Sequence, residues 1–472
     1  MQEWLNSINW IDVLPNYVLV YLLLGVGAYF TILLGFIQLR ALPHSVRILF
    51  KSGRTDENGG ITAFQAFATG LAGRVGSGNI VGVAVAISVG GPGAIFWMWM
   101  TALLGMASAF VEATLAQIFK TPHPQGLYFR GGPAYYIRIG LGSPIFAGVF
   151  ALCLISTFGL LFNALQANFI AQSFSHAFSI PKEIMGPLLV LIVAPFIFGG
   201  IRRVMLLSQL LAPAMAIAYL ALAAYIVLVN ISEVPHMLLL IIRSAFGLEQ
   251  AVGGIAGYTV SQALMMGIRR GLFSNEAGMG SAPNAAAAAT TLHPVNQGLL
   301  QMLGVFIDTI IICSATAVII LLSGQYVPGG GMEGAVLTQR AVVSQVGTWG
   351  ASALAIIIFF FSFTTIIGNY AFTEGNISFL SRRPWVMLFF RLSFLCMLLL
   401  GSMSSLSSVL NAADITMTLM ALVNLISIAL LGRYAALAWT DYTKQRKQGI
   451  QNPKFQRNTI PELANKLPDN VW

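Results

Sequence analysis

Gly73-Arg74-Val75-Gly76-Ser77-Gly78-Asn79 interrupts an otherwise apolar run from Ile61 to Val89. A stretch of about 20 apolar residues crosses a bilayer. Three glycines, an arginine, a serine and an asparagine within seven residues do not suit a lipid-facing helix. Polar side chains in hydrocarbon are costly, and unwound backbone survives at that depth only where protein or a cavity surrounds it. The pattern predicts a span that loses its winding midway and releases N–H and C=O groups to a solute and a cation. The remaining chain then reads as the scaffold that holds this break.

Composition supports that setting. Of 472 residues, 57% are hydrophobic and 9% charged, against about 25% charged in soluble domains, and mean hydropathy is +0.79. The net charge of +9 comes from basic residues scattered through short loops, which points to membrane topology and away from nucleic acid. Cys153, Cys313 and Cys396 sit inside apolar runs without CxxC spacing, so neither a disulfide framework nor a zinc site is supported. No basic segment precedes the first apolar run, Tyr17 to Ile37, which reads as a retained span.

Span-like runs lie at 17–38, 61–89, 94–119, 144–174, 183–199, 205–230, 296–323, 349–380, 385–402 and 408–432. A further crossing at 251–291 makes eleven, whereas 236–246, between Glu233 and Glu249, suits an interfacial helix. With the N-terminus outside, Arg40, Arg47, Lys51, Arg54, Lys120, Arg130, Arg138, Arg202, Arg203, Arg382, Arg383 and the basic tail fall inside. Only Lys182, Arg243 and Arg340 fall outside. That bias predicts a multi-pass inner-membrane protein, N-out and C-in, with a transmembrane domain over 1–445 and a cytoplasmic tail over 446–472.

A second irregular stretch, Arg269 to Ser281, opens the last five crossings as the first break opens the preceding five. An odd number of crossings per set inverts one set relative to the other. The expected fold is therefore all-α: one extra helix (17–38), then two inverted repeats over 61–230 and 251–432, with broken helices facing each other near the midplane.

Four motifs carry a family resemblance. They are Gly73-Arg74-Val75-Gly76-Ser77-Gly78-Asn79-Ile80, Gly90-Gly91-Pro92-Gly93-Ala94, Phe129-Arg130-Gly131-Gly132-Pro133-Ala134-Tyr135-Tyr136 and the run from Leu272 to Ala285. On these the chain resembles the alanine/glycine:cation symporter family, the bacterial sodium–alanine carriers, over nearly its whole length. The resemblance implies a core like that of sodium-coupled amino-acid carriers, with an added N-terminal helix.

An amino acid presents a carboxylate and an ammonium. Amides at Gly76, Ser77, Gly78 and Asn79, at a half-helix N-terminus, suit the carboxylate. Carbonyls near Phe273, Ser274 and Asn275 suit the ammonium. The resemblance places a substrate-contacting glutamine in the fourth span, where Gln166 lies between Asn163 and Asn168; the latter two read as interhelical hydrogen-bonding groups. Sodium, a hard cation, wants oxygens. Ala72 and Val75 offer carbonyls, and the resemblance assigns a hydroxyl pair to 349–380, giving Thr364 and Thr365, with Ser362 in reserve. Asp308 is a candidate for the cation site or a charge relay. Glu276 is expected to pair with Arg269, Arg270 or Arg74, while Glu112 and Asp414 read as structural. Plainer readings stand beside these: glycines that ease helix packing, hydroxyls that cap their own helix, and packing roles for Phe361, Phe363 and Tyr370.

The function expected is symport of alanine, glycine or D-alanine with Na+ as coupling ion and no organic cofactor. Proton coupling is the alternative. An enzyme would need an HExxH, a Gly-x-Ser-x-Gly or paired aspartates, none of which occurs. A channel leaves two interrupted helices unexplained. Oligomeric state is not legible.

Overall fold

The computed structural model describes residues 17–52, 60–123, 128–199, 201–248, 255–327, 334–468 and 471–472. Arg54 and the start of the 251–291 region lie outside them. Among the described residues the chain is all-α apart from a two-residue antiparallel ribbon, Thr121–Pro122 with Phe129–Arg130.

Helices α1 (Leu19–Leu33), α2 (Leu42–Lys51), α3 (Ala63–Arg74), α4 (Gly78–Gly90), α5 (Gly93–Ile118), α6 (Pro144–Phe178), α7 (Lys182–Gly199) and α8 (Val204–Val229) make up the first part. There follow α9 (Val234–Ala245), α10 (Ile255–Asn275), α11 (Ala282–Ala288), α12 (Pro294–Leu322), α13 (Ala335–Val346), α14 (Trp349–Leu380), α15 (Pro384–Met403) and α16 (Leu406–Lys447). Among the described residues, eight of these are long and apolar enough to cross a membrane, and α3 with α4, bent by 44°, make a ninth. The two further crossings in the expected eleven are α1, only 15 residues long, and the α10–α11 pair. α9, 12 residues long, covers the stretch read as an interfacial helix.

The first span begins on a capping box, Thr62 with Gln65, and winds to Arg74. It stops at Val75, with φ −73° and ψ 81°, and rewinds from Gly78 as a π-helical turn. The second break is narrower than expected, because α10 stays wound through Phe273, Ser274 and Asn275. Winding ends where φ turns positive, at Glu276 (55°), Gly278 (85°) and Gly280 (86°). Left-handed residues cannot sit in a right-handed helix, and glycine takes that conformation without strain.

The two broken spans run antiparallel. α3 packs on α11 and α4 packs on α10, and Ile61, at the start of one, bridges Ala289, at the end of the other. α5, α8, α12 and α14 enclose them. Small residues set the close approaches: a Cβ on Gly267 would meet the Ala94 carbonyl at 2.4 Å, and one on Gly401 the Ala164 carbonyl at 2.2 Å. Such contacts hold helices together where lipid offers no hydrophobic drive.

Two elements were not legible. α13 has no counterpart in the apolar pattern; its Gln339 donates to the Ser173 carbonyl and hydroxyl, both at 3.1 Å. Beyond α16 the chain folds back, burying Phe455, Ile460, Leu463 and Leu467, with the Phe455 amide on the Leu292 carbonyl at 2.9 Å.

Candidate functional site

The first break frees backbone carbonyls, those of Ala72 and Val75 among them. A continuous helix would aim the Gly76 and Asn79 amides at Ala72 and Val75; they turn instead to Arg74 and Gly76, at 2.8 and 3.2 Å. The Ala72 carbonyl accepts from the Thr365 hydroxyl at 3.1 Å. Thr365 and Gly76 are in such close contact that a Cβ on Gly76 would lie 2.3 Å from Thr365 Oγ1. The Asn79 side-chain oxygen takes the Gly76 amide at 2.9 Å, and the Ser77 hydroxyl donates to Gln166 Oε1. The Ser77 and Gly78 amides make no backbone hydrogen bond among the described residues. They lie at the N-terminus of the rewound helix, where partial positive charge collects.

The second break frees carbonyls too. The Ala277 amide goes to Asn275 Oδ1 at 3.0 Å and the Gly278 amide to Glu112 Oε1 at 3.3 Å, so the Phe273 and Ser274 carbonyls lose their helical partners although both residues are wound. The opposite Glu112 oxygen accepts from Asn424 Nδ2 at 2.9 Å, and that nitrogen also donates to the Gly278 carbonyl at 2.8 Å. Glu112 therefore clamps unwound backbone, with no ion pair among the described residues. Tyr136 donates to Asn424 Oδ1 from behind.

Asp308 joins the two breaks. Its Oδ1 accepts from Asn79 Nδ2 at 2.5 Å, and its Oδ2 accepts from Ser274 and Thr309 hydroxyls, each at 2.8 Å. No Lys or Arg pairs with it among the described residues. Residues 306–313 form a π-helical stretch, in which positions five apart come round to nearly the same face. Cys313 thereby lies beside Asp308, its sulfur 3.4 Å from Asn79 Nδ2 and 3.1 Å from the Ser274 hydroxyl. Thr309 and Cys313 carried no signal in the sequence, since an α-helical period puts Cys313 on another face. Phe273 closes one wall: a Cβ on Gly78 would meet its ring at 2.8 Å, and it packs at a tilt against Phe162, ring centroids 4.9 Å apart.

Of the other candidates, Thr364 bonds its own helix at Phe361 O, 3.0 Å, and faces Met215, away from Ala72. Ser362 is buried with no hydrogen-bond partner among the described residues. Asn163 and Asn168 link helices: Asn369 donates to Asn163 at 3.1 Å, and Asn168 donates to the Gly401 and Ser404 carbonyls at 2.9 and 2.7 Å. Phe361 packs on Tyr219, Phe363 on Phe196, and Tyr370 on Phe390 and Phe394.

The expected pairing of Glu276 with Arg269 or Arg270 does not occur. Both arginines converge on Asp414, and Glu276 accepts from the Ser281 hydroxyl at 2.5 Å. Its left-handed backbone turns the carboxylate into its own loop. Arg74 donates to the Gln301 carbonyl at 3.0 Å and side chain at 3.2 Å. Asp414 thus takes part in an ion pairing, the contact the sequence reading favoured for it.

The model of the sodium:alanine symporter family matches residues 1–457. The chain is 44% identical to a probable sodium/glutamine symporter, GlnT, of Bacillus subtilis, over 98% of this chain and 95% of that protein. It is 44% identical to the amino-acid carrier protein AlsT of the same organism, over 98% of both. It is 35% identical to the sodium/alanine symporter AgcS of Methanococcus maripaludis, over 95% of this chain and 98% of that one. A polytopic helical membrane protein built around two interrupted, antiparallel spans, the chain is a transporter and a member of the sodium:alanine symporter family.

Proposed function

We propose that this transporter carries a small neutral amino acid (glycine, L-alanine or D-alanine) together with Na+ across the inner membrane, by alternating access between two inverted five-helix repeats. The meeting of two broken spans at one buried set of polar groups carries this reading. The substrate carboxylate sits on the Ser77 and Gly78 amides, flanked by Asn79 and by Ser77–Gln166. Its ammonium faces the Phe273 and Ser274 carbonyls and the carboxylate of Asp308. Sodium takes the Ala72 and Val75 carbonyls and the Thr365 hydroxyl, an all-oxygen set of the kind a hard cation prefers. Phe273, in contact with Gly78 and Phe162, walls one side of the site, which supports a substrate with a small side chain.

Proton coupling is favoured by one observation, that Asp308 is buried with hydrogen-bond donors and pairs with no Lys or Arg among the described residues. Uptake of radiolabelled alanine into proteoliposomes separates the two. An inward Na+ gradient is expected to drive accumulation. Uptake that persists when K+ replaces Na+, driven by a pH gradient alone, would establish the proton reading. Competition by glycine, D-alanine and glutamine in the same assay ranks the substrates; glutamine as the strongest competitor would overturn the small-pocket argument.

A further inference from the structure

At the end of the bundle that carries α2, a recess of about 460 Å3 opens between α2, the start of α3, the 290–292 segment, α12 and the end of α16. Arg47 and Lys51 enter from α2 and Arg446 from α16, with His44, Ser52, Thr290, Thr291, Asn296 and Asn452 around them. No acid lines it among the described residues; Asp56 and Glu57 lie outside those. The N-termini of α3 and α12 open on the same recess through Thr62, Ala63 and Asn296, adding two positive dipole ends to the cations. Tyr442 holds His44 in the wall, their Oη and Nε2 atoms 2.9 Å apart. Burial, and then the charges of Arg446, Arg47 and Lys51, push the His44 imidazole below its ordinary value.

α2 turns Arg47 and Lys51 to one side, while Val46 and Phe50, 37% and 84% exposed, stand about 100° round the helix from them. A short amphipathic helix of this kind lies in the membrane–water interface. Basic pockets between spans at that level hold anionic lipid headgroups.

We propose that this recess binds the phosphate of an anionic phospholipid headgroup, with the acyl chains passing over Val46 and Phe50. Such a lipid would tie α2 and α16 to the first arm of the first broken span, a part that must move in alternating access.

The test uses the full chain purified in detergent with phosphatidylglycerol or phosphatidylcholine, with retained lipid counted by mass spectrometry. Phosphatidylglycerol is expected to be retained about tenfold or more over phosphatidylcholine. An Arg47→Gln, Lys51→Gln, Arg446→Gln variant should lose that preference, whereas a charge-matched Lys182→Gln, Arg382→Gln, Arg383→Gln control keeps it. A Lys51→Arg variant, which preserves charge, should also keep it. Equal retention of the two lipids, or equal loss in the control, would overturn the proposal. So would thermal stabilisation of lipid-free protein by glycerol 3-phosphate or inorganic phosphate to the same extent, which would make this a soluble-anion site.

Discussion

Thr364 and Thr365 are neighbours on one helix, yet only Thr365 reaches across to another. A helix turns about 100° per residue, so adjacent hydroxyls face different partners. If the Ala72–Thr365 pair belongs to the cation site, Thr365→Val should raise the Na+ concentration for half-maximal uptake by about tenfold or more, the scale of one lost ligand. Thr365→Ser should retain it, and Thr364→Val should be nearly silent, its hydroxyl capping its own helix. Equal effects of the two valine variants would remove this distinction. Gly76→Ala is expected to abolish uptake while protein stays in the membrane, because its Cβ would fall 2.3 Å from Thr365 Oγ1 and neither broken backbone nor packed helix can yield. Wild-type uptake by Gly76→Ala would place the break elsewhere.

Each broken helix needs its loose backbone satisfied, since an unpaired group in hydrocarbon costs several kcal/mol. The second break meets that need with Glu112 and Asn424 on flanking helices. Glu112→Ala should therefore lower stability by about 1–3 kcal/mol for each donor left buried and unpaired, and Glu112→Gln by less, because its amide keeps one acceptor. Thermal melts in detergent distinguish the two; indistinguishable melts would show that water replaces the carboxylate. The existence of this break was readable from Gly278 and Gly280, but its position was not. Winding persists to Asn275 because the first left-handed residue is Glu276, and a non-glycine in that conformation leaves little trace in composition.

At the scale of the molecule, Arg269 and Arg270 on α10 meet Asp414 on α16, closing the bundle between a broken span and its scaffold. Removing the shared acid takes the counter-charge from the buried Arg270, a loss of about 3–5 kcal/mol for a buried pair. Cys313, buried beside Asp308, is a native reporter of opening. In a Cys153→Ser, Cys396→Ser background, Asp414→Asn should speed alkylation of Cys313 by a membrane-impermeant maleimide; an unchanged rate would show that this cluster closes nothing. Near the other end, Lys120 is 1% exposed, donates to Gln117 and the Ala289 carbonyl at 2.8 and 3.1 Å, and lies over the Phe129 and Trp472 rings. Burial pushes its ammonium from 10.5 down to about 7. Between those values the unfolded chain holds a proton that the folded chain has shed, so stability rises with pH across that window. Melting temperatures of the wild type relative to Lys120→Met should climb from about pH 7 to 10; parallel curves would refute it.

Sequence alone determined that the chain is a helical membrane protein, that two spans are interrupted, and which stretches hold the polar groups. Hydropathy and glycine are local properties, and the cost of polar groups in lipid leaves few alternatives. It also marked Asn79, Ser274 and Asp308 as candidates, and the family resemblance added Gln166 and Thr365, but not their partners. That Asn79 and Ser274 meet on Asp308, that Glu112 clamps backbone, and that Arg269 and Arg270 serve Asp414 are outcomes of tertiary structure. Each joins residues far apart in the chain, and which face a side chain presents depends on a π-helical turn or a left-handed residue that shifts the helical period.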